Sequence, residues 1–101
     1  MTKSIETTLA GPSAADYYNA GRFYLESGKD LNQAYSWLHK SNEMNPKFFM
    51  LRQEALALAK LGKYKEAITV ANKSIDMAKE AKNEEYVKMN SKDIENWSKM
   101  K

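Results

Sequence analysis

Apolar residues recur at three- and four-residue spacing along most of the chain, which is the period of an amphipathic α-helix rather than of a β-strand. Five such segments are separated by short stretches that contain residues suited to begin or end helices, namely Gly28, Asn45, Pro46, Gly62 and Asn83. The pattern therefore predicts an all-α protein of five helices.

The first two helices have clear boundary signals. Ser13 followed three residues later by Asp16 has the form of a capping box, and Gly28 is suited to end the helix that begins there. Asp30 with Gln33 predicts the start of the second helix.

The later helices have similar signals. Asn45 and Pro46 suit the start of the third helix, and Gly62 suits its end. Asn83 suits the start of the last helix, whose first turn would gain from two glutamates. The predicted bounds are roughly 46–61 for the third helix, Tyr64 to about Lys82 for the fourth, and Asn83 onward for the fifth.

Two features of these helices predict how they pack. Gly21 in mid-helix costs about 0.5–1 kcal/mol relative to alanine, which is explained if the next helix approaches closely near Ala34. Ala55 against Ala67 would serve the second pair in the same way. The fifth helix has one narrow apolar stripe and is otherwise charged, as expected of a capping helix. The stripe consists of Tyr86, Met89 or Asn90, Ile94, Trp97 and Met100 or Lys101.

One unit of the sequence occurs twice. Equivalent residues are 34 apart at the glycine and 33 apart at an alanine and a serine, in the pairs Gly28 and Gly62, Ala34 and Ala67, and Ser41 and Ser74. Periods of about 20–50 residues indicate a repeat architecture. The predicted organisation is an extension at 1–12 that is a short turn or disordered, one repeat at 13–45, a second at 46–82 and a capping helix at 83–101.

These units resemble tetratricopeptide repeats over roughly residues 14–79. The first copy matches that family's pattern at Tyr17, Gly21, Tyr24, Gly28, Ala34, Ser41 and Pro46, and the second at Leu51, Ala55, Leu58, Gly62, Ala67 and Ser74. The second copy departs from it in having leucine for the aromatic residue and Lys79 near the expected proline. The resemblance implies an α-α superhelix of two hairpins and a capping helix, with the first helix of each pair lining a concave groove.

Placing the repeat register on this sequence gives the candidate peptide-binding residues Tyr18, Arg22, Leu25, Phe49, Arg52 and Leu56. Both arginines of the chain are among them, and arginine holds a carboxylate through two parallel hydrogen bonds. The sequence therefore predicts a groove for a peptide or protein partner of acidic character. The alternative is that Arg22 and Arg52 pair with Glu26, Glu54 or other neighbours and only solubilise the surface. The lysine and asparagine residues that form the carboxylate clamp of chaperone-binding tetratricopeptide domains are not present at the matching positions of this sequence.

Composition excludes several other functions. The net charge of +3 comes from 14 lysines and two arginines interleaved with acids, which suits a solvated helical surface better than a nucleic-acid stripe. There is no cysteine, and no apolar run approaches the roughly 20 residues of a membrane span. The one histidine, His39, is expected to face solvent, and no phosphate loop is present. We expect no catalysis, cofactor or metal site.

The sequence thus favours a protein–protein interaction module. A structural alternative comes from a second resemblance, in which AGPSAADYY and AKEAKNEEYVKMNSKDIENWSKMK are similar to the C-terminal helical segment of certain exported bacterial proteins. That resemblance implies a docking or oligomerisation tail of a larger exported or periplasmic protein, with apolar residues exposed near Ile5, Leu9 or Trp97. Without such a parent, a cytoplasmic location is expected. Homo-oligomers that form through the uncapped ends of the helical array would be compatible with both the interaction module and the structural tail.

Overall fold

A computed structural model of the chain describes residues 13–100, so the predicted extension at 1–12 lies outside the described residues. The described residues form five α-helices and no strand, which confirms the all-α prediction. The helices are α1 (Ala14–Ser27), α2 (Leu31–Met44), α3 (Phe48–Lys60), α4 (Tyr64–Glu80) and α5 (Glu84–Lys99).

Side chains cap three of the helices as the sequence predicts. The Ser13 hydroxyl accepts from the Asp16 backbone N–H at 3.2 Å, and the Asp16 carboxylate accepts from the Ser13 N–H at 3.0 Å. Asp30 caps α2 by accepting from the Gln33 N–H at 3.1 Å. Asn83 caps α5 by accepting from a backbone N–H in the first turn at 3.2 Å. Each of these bonds satisfies a donor that a helix leaves unpaired at its start.

The predicted start of the third helix is wrong by two residues. Asn45 ends α2 and Lys47 is the N-cap of α3, without a side-chain cap bond. Pro46 explains the end of α2, because a residue before proline is held away from the helical conformation, and Asn45 accordingly has φ −159° and ψ 84°. Pro46 itself lies before the N-cap residue Lys47 and not in the first turn of α3.

Three helices end in a left-handed residue. Gly28, Gly62 and Lys82 have φ values of 67°, 82° and 58°. At each of them the N–H of the left-handed residue and the N–H of the next residue both donate to carbonyls of the last turn, as in the bonds from Gly62 N–H to Ala59 O and from Lys63 N–H to Leu58 O. Helix α4 therefore ends at Glu80 rather than near Lys82, with a lysine in the position that glycine occupies after α1 and α3.

Each helix packs against its neighbours along the chain, and α3 also touches α1 and α5. Among the described residues, the even-numbered helices α2 and α4 make no such contact with each other. The hairpins α1–α2 and α3–α4 are therefore closer on the side of α1, α3 and α5. We call this side the odd-helix face, and it is the side on which the tetratricopeptide resemblance places a groove.

The centre of the first hairpin depends on the missing side chain of Gly21. A Cβ atom built there would lie 2.7 Å from Leu38 Cγ and 3.0 Å from the Ala34 carbonyl oxygen. Both distances are shorter than ordinary contacts, and the carbonyl is backbone. The predicted close approach near Ala34 is thus confirmed. In the second hairpin Ala55 and Ala67 lie in one buried cluster and are fully buried.

We expect Gly21→Ala to lower the free energy of unfolding by about 1–2 kcal/mol, because the overpacking penalty exceeds the gain in helix propensity. Urea denaturation followed by circular dichroism measures this difference. The control is Asn19→Ala at an exposed position of the same helix, which should change stability by less than about 0.5 kcal/mol. A stabilised Gly21→Ala protein would contradict the close approach.

We expect Lys82→Gly to raise the free energy of unfolding by about 0.5–1 kcal/mol, because glycine adopts a left-handed conformation without the penalty of a Cβ atom. The matched control is Lys79→Gly inside the last turn of α4, where glycine should instead destabilise by about 0.5–1 kcal/mol. Denaturation midpoints of the two variants would move in opposite directions. Movement in the same direction would contradict the role of the turn.

Candidate peptide-binding groove

Four aromatic rings form a row across the odd-helix face. Tyr18 of α1 meets Phe49 of α3 edge-on at 5.6 Å between ring centroids. Phe49 meets Phe48 at 5.7 Å, and Phe48 meets Tyr86 of α5 at 4.9 Å. All four side chains are half-buried. Tyr18 thus packs on Phe49 and Tyr86 on Phe48, which leaves both phenylalanine rings partly accessible.

Arg22 lies beside this aromatic row and remains accessible. Its side chain is 51% exposed, and its Nε donates to the Glu26 carboxylate at 2.9 Å. That bond and the charge of Glu26 raise the pKa of Arg22 further above its ordinary value. Partial burial raises the pKa of the neighbouring Tyr18 phenol, although the Arg22 guanidinium acts in the opposite direction. Arg22 and Tyr18 thus present a cation and a neutral hydroxyl together.

Arg52 lies between α3 and α5, where it is occupied by side chains of α5. Its Nη1 donates to the Asn90 carboxamide oxygen at 2.9 Å and lies 2.7 Å from the Asp93 carboxylate. The arginine side chain is only 17% exposed. The structure therefore brings Tyr18, Arg22 and Phe49 together and directs Arg52 to the capping helix. Both arginines are thus paired, Arg22 with Glu26 as one interpretation of the sequence expects and Arg52 with Asp93.

The two leucines of the predicted site differ in accessibility. Leu25 is 4% exposed and packs in the buried cluster that includes Ala34 and Leu38, so it supports the face from beneath. Leu56 is half-buried and lines a cavity of about 330 Å³ between α3 and α5, together with Lys60.

A chain of hydrogen bonds joins α3, α4 and α5 under this face. Asn90 is fully buried, accepts from Arg52 and donates to the Ser74 hydroxyl at 2.8 Å. Ser74 in turn donates to the Phe48 carbonyl at 2.7 Å. Of the alternatives Met89 and Asn90 for the stripe of α5, Asn90 is the buried one, and Met89 is 37% exposed. The signal in the sequence for a buried Asn90 is its position on an otherwise apolar stripe.

His39 belongs to a second polar cluster, where α2 meets α3. Its Nδ1 lies 3.0 Å from the Glu54 carboxylate and its Nε2 lies 3.3 Å from that of Glu43. Glu54 is 4% exposed and also accepts from Asn42 at 3.0 Å. The predicted exposure of His39 is confirmed at 46%, but the contacts with both carboxylates were missed. These residues line a cleft of about 470 Å³ that α2 and α4 border.

Comparisons with protein-family models, with curated proteins and with solved structures find no match to this chain. The tetratricopeptide resemblance therefore stays a prediction. Within residues 13–100 no cluster of three or more histidine, cysteine, aspartate or glutamate side chains is arranged to hold a metal ion. None of the five described helices is both long and apolar enough to cross a membrane.

We expect Asn90→Ala to lower the free energy of unfolding by about 1–3 kcal/mol, because Arg52 loses a hydrogen-bond acceptor and Ser74 loses a donor. Urea denaturation measures the loss. The control is Asn96→Ala on the exposed side of α5, for which we expect a change below about 0.5 kcal/mol. Equal stability of the two variants would show that the buried amide contributes nothing.

Proposed function

We propose that the chain is a protein–protein interaction module without chemistry of its own, built from two tetratricopeptide-like hairpins and a capping helix. Its ligand is a peptide, or an extended segment of a partner protein, bound along the odd-helix face. The 34-residue spacing of Gly28 and Gly62, each left-handed after the first helix of its hairpin, supports the repeat assignment.

The observation that carries this proposal is the exposed Arg22 beside the aromatic row. Aromatic side chains and arginine are enriched at the sites that dominate binding between proteins. Here Tyr18, Phe49, Phe48 and Tyr86 are held in fixed relative positions by edge-on contacts across three helices. A ligand that lies across these rings would bind to side chains that are already ordered, so the entropic cost of binding would be small.

Arg22 favours an acidic ligand. Its bond to Glu26 is an exposed contact between residues four apart on one helix, and such pairs are weak and easily exchanged. A ligand carboxylate can therefore replace Glu26 or share the guanidinium with it. Arg52 contributes differently, because its bonds to Asn90 and Asp93 fix α5 against α3 and so hold the far side of the face in place.

A second candidate function is a structural or oligomerisation tail of a larger protein. It is favoured by the exposure of Phe23 at 56%, Met44 at 48% and Met100 at 51%, which are large apolar residues open to another protein surface. Trp97, which the sequence suggested for such a surface, is instead 8% exposed, and Ile5 and Leu9 lie outside the described residues. Sedimentation velocity over a range of protein concentrations separates this function from peptide binding by a monomer.

The test of the proposed groove is a fluorescence-anisotropy titration with a labelled peptide of aspartates and glutamates around one central Leu-Phe pair. We expect Arg22→Ala to weaken binding by about tenfold, because charge-assisted hydrogen bonds are lost. Lys79→Ala removes one positive charge on α4 and serves as the matched control, with affinity within about twofold of the parent. Equal effects of the two substitutions would refute the groove.

A further inference from the structure

Two adjoining cavities lie at the end of the molecule where the α3–α4 turn meets the last turn of α5. The first is the cavity of about 330 Å³ between α3 and α5. The second, of about 750 Å³, lies between the start of α4 and the end of α5. Tyr64 and Trp97 line both cavities. We call the combined feature the Trp97 pocket.

The walls of the Trp97 pocket are apolar and differ in rigidity. Trp97 is 8% exposed and packs in the buried cluster of α3 and α4 that contains Ala55 and Ala71. The first cavity is also lined by Met100, which follows α5 and is 51% exposed. A methionine side chain has several rotatable bonds and adapts to what enters beside it. The pocket therefore combines a fixed aromatic wall with an adjustable one, which suits a single apolar side chain.

The rim of the pocket is basic. Lys60 lines the first cavity, and Lys63 and Lys65 line the second, all three exposed. None of them has an ion pair within 4.0 Å among residues 13–100. Of the two acids that line the cavities, Asp93 is paired with Arg52, which leaves Glu66 as the opposing charge. The rim is thus complementary to negative charge.

We propose that the Trp97 pocket binds an acidic segment of a partner protein, with one leucine or aromatic side chain seated against Trp97 and flanking carboxylates paired with Lys60, Lys63 and Lys65. An apolar anchor in a desolvated pocket supplies most of the affinity of many interfaces, and charges on the rim select the partner and speed its approach. This inference deepens the proposed function and rests on it. Leu56 and Lys60 belong to α3, so the pocket continues the odd-helix face.

The test uses the full chain with Trp37→Phe, so that Trp97 is the one tryptophan left and reports on the pocket by its emission. The probe is the acidic peptide with the central Leu-Phe pair. Peptide binding should change Trp97 emission saturably, and replacing the pair by Ala-Ala should weaken binding by about tenfold or more. An unchanged emission at saturation, or equal affinity of the Ala-Ala peptide, would overturn the proposal.

The charge of the rim is tested by reversing it. The variant K60E/K63E/K65E should lower the affinity for the peptide by about tenfold. The control variant K40E/K79E/K92E changes the net charge by the same amount at exposed positions elsewhere, and it should lower the affinity less. Equal losses would mean only long-range attraction and would overturn the inference. Loss with Arg22→Ala but not with K60E/K63E/K65E would leave the groove standing and refute the pocket. Self-association of the parent that K60E/K63E/K65E abolishes would identify a second copy as the occupant instead.

Discussion

The stacking of the second hairpin on the first, and of α5 on the second hairpin, depends on one buried polar side chain at each junction. Glu54 of α3 bonds to His39 and Asn42 of α2, and Asn90 of α5 bonds to Ser74 of α4. Both are the seventh residue after the N-cap of their helix, so equivalent positions make equivalent contacts with the preceding helix. A buried polar group that loses its partner costs about 1–3 kcal/mol, and unlike apolar contacts these bonds form at only one alignment of the helices. These bonds therefore fix the register in which the helices stack.

Within each hairpin a different constraint applies, which is the distance between backbones. Gly21 lets α2 approach until its Ala34 carbonyl fills the space of a side chain, and the fully buried Ala55 and Ala67 are the small residues between α3 and α4. Small residues thus set the separation inside a hairpin, while polar bonds set the alignment between hairpins. The odd-helix face follows from both, because it is the side on which α1, α3 and α5 come together.

The sequence predicts features that are local along the chain. Ser13 and Asp16 are three residues apart, and Gly21 is conspicuous in a helical pattern, so both were interpretable without the fold. The predicted start of α3 is wrong because Asn45 and Pro46 each favour a helix start, whereas in the structure Asn45 ends α2 and both residues precede the N-cap Lys47. At such junctions the residues that end one helix and those that start the next overlap, and the sequence pattern does not determine where the second helix begins.

The polar pairings between distant helices are not predicted by the sequence. The partner of Arg52 is Asp93 on another helix. To predict Asp93 as the partner instead of an acid nearer in sequence, one must know how α5 is rotated about its axis. The rotation determines whether Met89 or Asn90 faces inward. The apolar stripe on α5 is too narrow to distinguish these two orientations. The tetratricopeptide register placed Tyr18 and Phe49 together on one face, as found, because that placement depends only on the repeat.

The bonds of Asn90 also bear on how the molecule comes apart. Helical arrays tend to unravel from their ends, since a terminal helix has a neighbour on one side only. Detaching α5 here would strip partners from Arg52 and Ser74 at once and uncover Trp97. We therefore expect α5 to unfold together with the second hairpin and not to fray separately from it.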